Sequence, residues 1–234
     1  MIHLVIDIGN TRAKLAIFAG DEIIQESQQI NDIPHLIKTY QIERAIICSV
    51  GADYSVANAL LTVPTLILNH QTLLPFKVNY DTPQTLGMDR VAGVAGAMQL
   101  FPNQSCLVID AGTCITYDFI SSDGVYSGGA ISPGLHMRFK AMHEFTAKLP
   151  LPELVWPDDF EGKSTRDSLL SGVCLGLADE INGRIARYSQ RFGPIQVIIC
   201  GGDANLLKQH IKNNIFAAPT LVMFGLNQIL KFNA

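Results

Sequence analysis

Ile2-His3-Leu4-Val5-Ile6, followed by Asp7-Ile8-Gly9-Asn10-Thr11, is the stretch that decides the fold, because it joins an apolar strand to a tight polar turn. A glycine can adopt positive φ, so such a turn can direct backbone N–H groups at an oxyanion, and the threonine hydroxyl adds a donor. Phosphate oxygens repel a carboxylate, so Asp7 makes sense there mainly if a cation or its bound water lies between them. Taken alone, the pattern is also typical of a plain hairpin turn.

The same pattern occurs a second time, where Leu107-Val108-Ile109 leads into Asp110-Ala111-Gly112-Thr113. Each copy is followed by two β-rich runs separated by turn residues, and then by alternating helix and strand signals. This repetition favours an internal duplication. The sequence therefore predicts two α/β lobes of related topology, whose matched turns bind the phosphates of one ATP.

Composition agrees with this interpretation and excludes several classes of protein. The 234 residues are 48% hydrophobic and 16% charged, which is enough for two small lobes with buried parallel strands. The amino terminus enters a strand directly and no run of about 18 apolar residues exists, so we expect a soluble cytoplasmic protein without membrane contact. A net charge of −4 without a basic block argues against nucleic acid as a partner. The cysteine spacing indicates neither zinc nor disulfides.

A third glycine-rich turn, Cys200-Gly201-Gly202-Asp203-Ala204, joins a predicted strand over 195–199 to a predicted helix. Glycines there allow a flat ring or a ribose to approach the backbone, and a helix amino terminus favours phosphate. The alternative is a plain strand-to-helix turn capped by Asp203. The position of the turn in the chain favours contact with the nucleotide.

The strand predicted after the first turn carries two cations on one face, because alternation places Arg12, Lys14 and Ala16 together. One of these cations can reach a phosphate group. The alternative is a solvated lysine on an edge strand.

The residues best suited to the chemistry are Gly87-Met88-Asp89-Arg90, at the start of a helix predicted to end before Pro102. An aspartate at this position is usually a helix cap. The adjacent arginine allows a second interpretation, in which Asp89 accepts the proton of a substrate alcohol and Arg90 binds a substrate carboxylate. We expect the helix dipole to lower the pKa of Asp89, which phosphoryl transfer tolerates because its loose transition state does not require early proton loss.

With these motifs the chain resembles the type III pantothenate kinases, which belong to the superfamily of acetate kinase, sugar kinases, Hsp70 and actin. The resemblance covers nearly the whole chain. It implies an α/β protein of two duplicated ribonuclease H-like (actin-like ATPase) lobes, each a mixed sheet flanked by helices, at residues 1–104 and 105–234. It also implies ATP-dependent phosphorylation of pantothenate to 4′-phosphopantothenate, the first step of coenzyme A biosynthesis.

The resemblance further implies roles for individual residues. Residues expected to contact ATP are Asp7, Ile8, Gly9, Asn10, Thr11, Arg12, Ala13, Lys14 and Thr113. Residues expected to contact pantothenate are Tyr80, Gly87, Met88, Asp89, Arg90 and Thr165, with Asp89 as the catalytic base. Asp110 is expected to bind a monovalent cation, K⁺ or NH₄⁺, and ATP to carry Mg²⁺. Thr165 is alternatively a helix cap.

The segment Gly128-Gly129-Ala130-Ile131-Ser132-Pro133-Gly134-Leu135 also looks like a signature of this family, although no individual role is assigned to it. The resemblance implies a homodimer in which both protomers shape the pantothenate pocket. Two other classes of protein remain open, a non-enzymatic regulator of the same fold and an actin-like or chaperone-like ATPase. The intact Asp89 weighs against the first, and the 234-residue length weighs against the second.

Overall fold

The computed structural model describes residues 1–9, 12–51 and 53–234, and within these ranges the chain is a mixed α/β protein with two sheets. The strands are β1 Ile2–Ile8, β2 Ala13–Ala19, β3 Glu22–Ser27, β4 Arg44–Ser49, β5 Thr65–Ile67, β6 Lys77–Val78, β7 Cys106–Ala111, β8 Cys114–Ile120, β9 Val125–Pro133, β10 Gln196–Cys200 and β11 Phe216–Ala217. The helices are α1 Ile33–Tyr40, α2 Ser55–Leu60, α3 Met88–Leu100, α4 Leu135–Glu144, α5 Thr165–Leu170, α6 Gly176–Phe192, α7 Ala204–Lys208 and α8 Leu221–Phe232. In the described ranges, none of the helices is both long and apolar enough to cross a membrane.

The first sheet has the strand order β3-β2-β1-β4-β5. Strands β1, β2 and β3 form antiparallel pairs, whereas β4 and β5 continue the sheet in parallel with β1. Parallel neighbours need crossover connections, and the helices α1 and α2 lie in those parts of the chain. Strand β2 lies between β1 and β3, so the alternative of Lys14 on an edge strand is wrong.

Both faces of this sheet are covered by helices. On one face, Leu4, Ile6 and Ile17 belong to a buried cluster that also contains Ile33 and Leu36 of α1. The other face packs against α8, where the ring centroids of Phe18 and Phe224 lie 5.4 Å apart. Because side chains alternate along a strand, Asp7 lies on the face opposite Leu4 and Ile6.

Helix α3 packs closely against α8. A Cβ atom on Gly225 of α8 would collide with the carbonyl oxygen of Ala92, so only glycine allows the two backbones to approach this closely. The residues from Arg90 to Ala97 of α3 are all buried. This packing fixes the start of α3, where Asp89 and Arg90 lie.

The second sheet has the strand order β11-β10-β7-β8-β9-β6. Five of its strands repeat the arrangement of the first sheet, with β7 in the place of β1. Strands β8 and β9 lie on one side of β7, as β2 and β3 lie beside β1, and β10 and β11 lie on the other side, as β4 and β5 do. Strands β10 and β11 are parallel, as are β4 and β5. The short β6 adds a parallel strand beside β9.

The chain divides into two compact units that do not follow the order of the sequence. The first unit contains Met1–Cys106, Asp118–Gly128 and Thr220–Ala234, and the second contains Leu107–Tyr117 and Gly129–Pro219. The carboxyl-terminal helix α8 therefore belongs to the first unit. The assignment of duplicated lobes to residues 1–104 and 105–234 stays a prediction.

Candidate active site

The first sequence motif lies at the end of β1 in the first unit. Asp7 is paired with Lys14 across the β1–β2 hairpin and with Cys48 of β4 on its other side. Ile8 is paired with Ala13, and the N–H of Gly9 donates to the carbonyl oxygen of Arg12 at 3.1 Å. Asn10 and Thr11 lie outside the described residues. The described part of the motif thus lies where β1 and β2 pair as a hairpin, which keeps an aspartate and a lysine side by side.

Asp7 is half-buried and lies near a second carboxylate. Burial raises the pKa of Asp7 to about 6, although Lys14 opposes the change, and the Asp89 carboxylate raises it further. Burial also raises the pKa of the Cys48 thiol, and the charges of Asp7 and Asp89 add to this effect. Three groups from β1, β4 and α3 therefore share one electrostatic environment, although they are far apart in sequence.

Asp89 lies in the first turn of α3, but the N-cap position belongs to Gly87 and Met88 begins the helix. The Oδ1 atom of Asp89 accepts a hydrogen bond from the backbone N–H of Arg90 at 2.8 Å. Burial nevertheless raises the pKa of Asp89, with the charge of Asp118 as a further cause, while the Arg90 N–H and guanidinium act in the opposite direction. The expectation that the helix dipole lowers this pKa is wrong, because desolvation outweighs it.

Arg90 is buried and held by a second carboxylate. Its Nε and Nη2 atoms lie 2.9 and 2.7 Å from Oδ1 of Asp118, and the hydroxyl of Tyr126 donates to the same oxygen at 2.7 Å. The Cζ atom of Arg90 lies 6.0 Å from the centroid of the Tyr80 ring, a cation–π distance. Burial disfavours the charged guanidinium, but the hydrogen bond and charge of Asp118 outweigh this and raise the pKa of Arg90.

The sequence reasoning missed Asp118 and Tyr126, although both bear on the orientation of Arg90. One signal for Asp118 was present, because it is the only charged residue of the strand Cys114–Ile120. A carboxylate in a buried strand needs a partner, since an unpaired buried charge is costly. The identity of that partner was not visible, because Arg90 lies 28 residues away in the chain.

The second sequence motif forms a turn at the end of β7, in the second unit. The N–H of Gly112 donates to the carbonyl oxygen of Cys114 at 3.0 Å, which closes the turn. The third glycine-rich turn packs against it, since the N–H of Asp203 donates to the carbonyl oxygen of Ala111 at 2.9 Å. Gly201 has a φ of 90°, and a Cβ atom there would collide with Ala111 and with the Asp110 carboxylate.

The position of Asp203 bears on the alternative of a plain strand-to-helix turn. Asp203 occupies the N-cap position of α7, as the plain-turn alternative predicts, but its side chain makes no capping hydrogen bond. Burial raises the pKa of Asp203, while the neighbouring His136 acts in the opposite direction. The Asp203 backbone, rather than its side chain, joins the two turns.

The end of the glycine-rich signature segment contacts the second motif as well. The N–H of Gly134 donates to the carbonyl oxygen of Thr113 at 3.1 Å. A Cβ atom on Gly134 would collide with the carbonyl oxygen of Gly112. The turn that contains Asp110 and Thr113 is thus held from both sides by backbone contacts that larger residues would prevent.

Thr165 is the first residue of α5, and its alternative role as the helix cap is wrong. The cap is Ser164, whose hydroxyl oxygen accepts from the N–H of Asp167 at 3.1 Å. Thr165 and Ser168 line a cavity of about 790 Å³ in the second unit, together with apolar residues such as Met137 and Phe145. Thr165 is therefore available to a ligand in this cavity.

Comparison with known proteins identifies the relatives of this chain. A family model described as Type III pantothenate kinase matches residues 3–187. A Type III pantothenate kinase from Christiangramia forsetii is 42% identical over 240 residues and is covered to 99%, as is this chain. Another from Phocaeicola vulgatus is 42% identical over 239 residues, again with 99% of each chain covered.

Solved structures with low sequence identity show the fold alone. A Campylobacter jejuni protein described as a Baf family transcriptional activator has a TM-score of 0.65 at 23% identity, with 98% of each chain covered. A glucokinase from an Antarctic psychrotroph has a TM-score of 0.54 at 14% identity, covering 100% of this chain and 99% of its own. Together with the two helix-flanked sheets, these similarities confirm the predicted actin-like α/β fold class.

Proposed function

Because the chain belongs to the type III pantothenate kinase family, we propose that it transfers the γ-phosphoryl group of ATP to pantothenate. The product is 4′-phosphopantothenate, and the reaction is the first step of coenzyme A biosynthesis. The observation that carries the proposal is the adjacent pair of half-buried Asp89 and buried Arg90 at the start of α3, because it combines a proton acceptor with a cation that suits a carboxylate.

In this proposal Asp89 orients the primary alcohol of pantothenate and accepts its proton. Burial raises the pKa of Asp89, which brings it closer to the value at which a base is effective near neutral pH. Phosphoryl transfer has a loose transition state, so orientation of the alcohol supplies much of the benefit and full deprotonation is not required beforehand. Activity should therefore fall at acid pH as Asp89 becomes protonated.

Arg90 and Tyr80 are proposed to bind pantothenate, with Gly87 and Met88 in the same segment. The Asp118 carboxylate uses the Nε and Nη2 atoms of Arg90 and thereby fixes the plane of the guanidinium. A fixed guanidinium loses little entropy when it binds a carboxylate through its other N–H groups. Asp118 and Tyr126 are in this sense supports for Arg90.

ATP in a kinase of this fold is accompanied by a divalent cation, and the residues at the end of β1 suit such a group. Carboxylate oxygens are the ligands that Mg²⁺ prefers, and the charge of Asp89 contributes to the raised pKa of Asp7. When bound, Mg²⁺ would neutralise charge on the phosphates. Lys14, opposite Asp7, is proposed to bind a phosphate group, and Ile8, Gly9, Asn10, Thr11, Arg12 and Ala13 to complete the ATP-binding turn.

The second unit is proposed to contribute Thr113 to ATP binding and Asp110 to the binding of K⁺ or NH₄⁺. The support for this assignment is the rigid turn, in which Gly134 and Asp203 each donate a backbone hydrogen bond. Thr165 is proposed to contact pantothenate, since it lines a cavity of about 790 Å³. We further propose a cytoplasmic homodimer, by analogy with the family.

A coupled assay tests the proposed function. ADP release is measured with and without pantothenate, in K⁺ and in Na⁺ at equal ionic strength, and the phosphorylated product is identified by mass spectrometry. We expect turnover only with pantothenate, and faster turnover in K⁺. A full rate in Na⁺ alone would contradict the proposed requirement for K⁺ or NH₄⁺ at Asp110. Turnover without pantothenate would favour an ATPase, and no turnover at all would favour a regulator of the same fold.

A further inference from the structure

A charged cluster in the second unit is not used by the proposed reaction. It consists of Glu180 of α6, Arg138 of α4, Tyr117 of β8 and Ser132 of β9. Oε1 of Glu180 accepts from the hydroxyl of Tyr117 at 2.8 Å, and Oε2 accepts from Ser132 at 3.1 Å and from Nη2 of Arg138. Burial alone would raise the pKa of Glu180, but the hydrogen bonds from these donors outweigh it and lower the pKa.

Arg138 connects this carboxylate to the end of β9. Its Nη2 atom also donates to the hydroxyl oxygen of Ser132 at 2.8 Å, and its Nε atom donates to the carbonyl oxygen of Pro133 at 2.8 Å. The guanidinium therefore binds two successive residues while Glu180 fixes its orientation. A planar, multiply bonded guanidinium restrains its partners more than a single hydrogen bond does.

The restrained residues lead directly to the second motif. Gly134 follows Pro133, and its N–H donates to the carbonyl oxygen of Thr113 at 3.1 Å. Its close approach to Gly112 leaves no room for a side chain. A displacement of residues 132–134 would therefore move the turn that contains Asp110 and Thr113.

We propose that Glu180 and Arg138 are positioning residues for the Asp110–Thr113 turn. Their ion pair fixes Ser132 and Pro133, and Gly134 transmits this restraint to the carbonyl oxygen of Thr113. The proposal rests on the proposed function, in which Thr113 contacts ATP and Asp110 binds a monovalent cation. In this proposal the end of the glycine-rich signature segment keeps the Asp110–Thr113 turn in place, which gives the segment a role in nucleotide binding.

A purely structural role makes a different prediction. A partly exposed ion pair between α4 and α6 would stabilise the fold only slightly, and its loss would leave substrate affinities unchanged. A positioning role instead changes the affinity for ATP and for K⁺ more than the KM for pantothenate, which Arg138→Gln also alters because Arg138 lines the cavity beside Thr165. The affinities for ATP and for K⁺ therefore distinguish a positioning role from a purely structural role.

Glu180→Gln tests the proposal, because the amide keeps an acceptor for Tyr117 but removes the charge that orients Arg138. We expect the KM for ATP and the K⁺ concentration for half-maximal activity each to rise roughly tenfold, as for residues that orient metal ligands from outside. Arg138→Gln should have the same effect, and the double variant should be no worse than either single variant. The matched control is Tyr117→Phe, which removes a bond to the other carboxylate oxygen and should leave both constants unchanged.

The readouts distinguish this inference from the proposed function. ATP affinity is also measured by calorimetry in K⁺, so the result does not depend on turnover. If Glu180→Gln has the wild-type KM for ATP and the wild-type K⁺ dependence, the positioning role is wrong, whether or not the melting temperature falls. The positioning role is also wrong if the wild-type protein does not bind ATP. ATP binding without pantothenate-dependent turnover would overturn the kinase assignment alone. If Glu180→Gln does not fold, Ser132→Ala gives the same test by removing one hydroxyl.

Discussion

Two carboxylates of the first unit share Arg90 and differ in their other surroundings. One oxygen of Asp118 accepts hydrogen bonds from Nε of Arg90 and from the hydroxyl of Tyr126, and it forms an ion pair with Nη2 of Arg90. Asp89 accepts the backbone N–H of Arg90, and burial raises its pKa. A carboxylate that is bound by charged donors supports structure, whereas one whose burial outweighs its donors retains affinity for a proton. The difference indicates which of the two suits catalysis.

Asp89→Asn should have the largest effect on activity. The amide oxygen can still accept the Arg90 N–H, but it cannot accept a proton, so kcat should fall by about 10²–10⁴-fold. The coupled assay measures this, and a melting curve should show that the fold is kept. The matched control is Asp118→Asn, which should reduce stability more than kcat. Wild-type turnover in Asp89→Asn would remove Asp89 as the base.

Arg90→Ala should have the largest effect on stability. It leaves the Asp118 carboxylate buried without its cation, which costs about 3–5 kcal/mol in the free energy of unfolding. Denaturant unfolding at neutral pH measures the cost. The double variant Arg90→Ala/Asp118→Ala should recover part of the loss, because the unpaired charge is gone. A loss below about 1 kcal/mol would mean that the pair is effectively solvated.

Asp7→Asn should change how stability depends on pH. The pKa of Asp7 is raised from 3.8 to about 6, so between these values the folded protein binds more protons than the unfolded chain. The free energy of unfolding therefore falls as pH rises through this window, by about 1.4 kcal/mol for each unit of the pKa difference.

This fall should be smaller in Asp7→Asn, measured by denaturant unfolding without nucleotide or divalent cation. It should not vanish, because burial also raises the pKa values of Asp89 and Asp203. The matched control is Glu26→Gln, which removes one exposed carboxylate of the same sheet and should keep the wild-type slope. An equal slope in Asp7→Asn and the wild type would contradict the buried, charge-rich environment of Asp7. Asp7 would then be unlike Asp89, whose pKa is raised by burial.

Tyr126→Phe should have the smallest effect. It removes the hydrogen bond from Tyr126 to Asp118 and leaves the contacts of Arg90 with this carboxylate, so we expect a loss of about 1.5 kcal/mol in the free energy of unfolding. The kcat should not change, because Asp89 keeps its hydrogen bond. A loss as large as that of Arg90→Ala, measured in the same denaturant series, would show that Tyr126 rather than Arg90 holds Asp118.

Most of the fold could be predicted from local patterns. The two apolar runs that end in Asp7 and Asp110 indicated strands, and the order of strands around β1 and β7 repeats as the duplication required. The long-range partners could not be predicted in this way. Nothing near Arg90 in the sequence indicates Asp118, and nothing near Thr113 indicates Gly134, because these pairs depend on how remote elements pack.

The pKa of Asp89 is a clear example of a property that local reasoning missed. The helix start suggested a lower value, because a helix dipole acts within one turn and can be inferred from position alone. The raised value results from burial, which depends on α3 packing against α8 and on the first sheet. Desolvation is a property of the packed molecule and has no local signature.

The sequence by itself determined the class of fold, the two aspartate-bearing turns and the family, because alternation, glycine spacing and short motifs act between neighbouring residues. Only the tertiary structure decided that Asp118 holds Arg90, that Ser164 rather than Thr165 caps α5, and that the charge of Asp89 acts on Asp7. The physical reason is that hydrogen bonds between remote residues and the loss of water around a charge arise only when distant segments pack together.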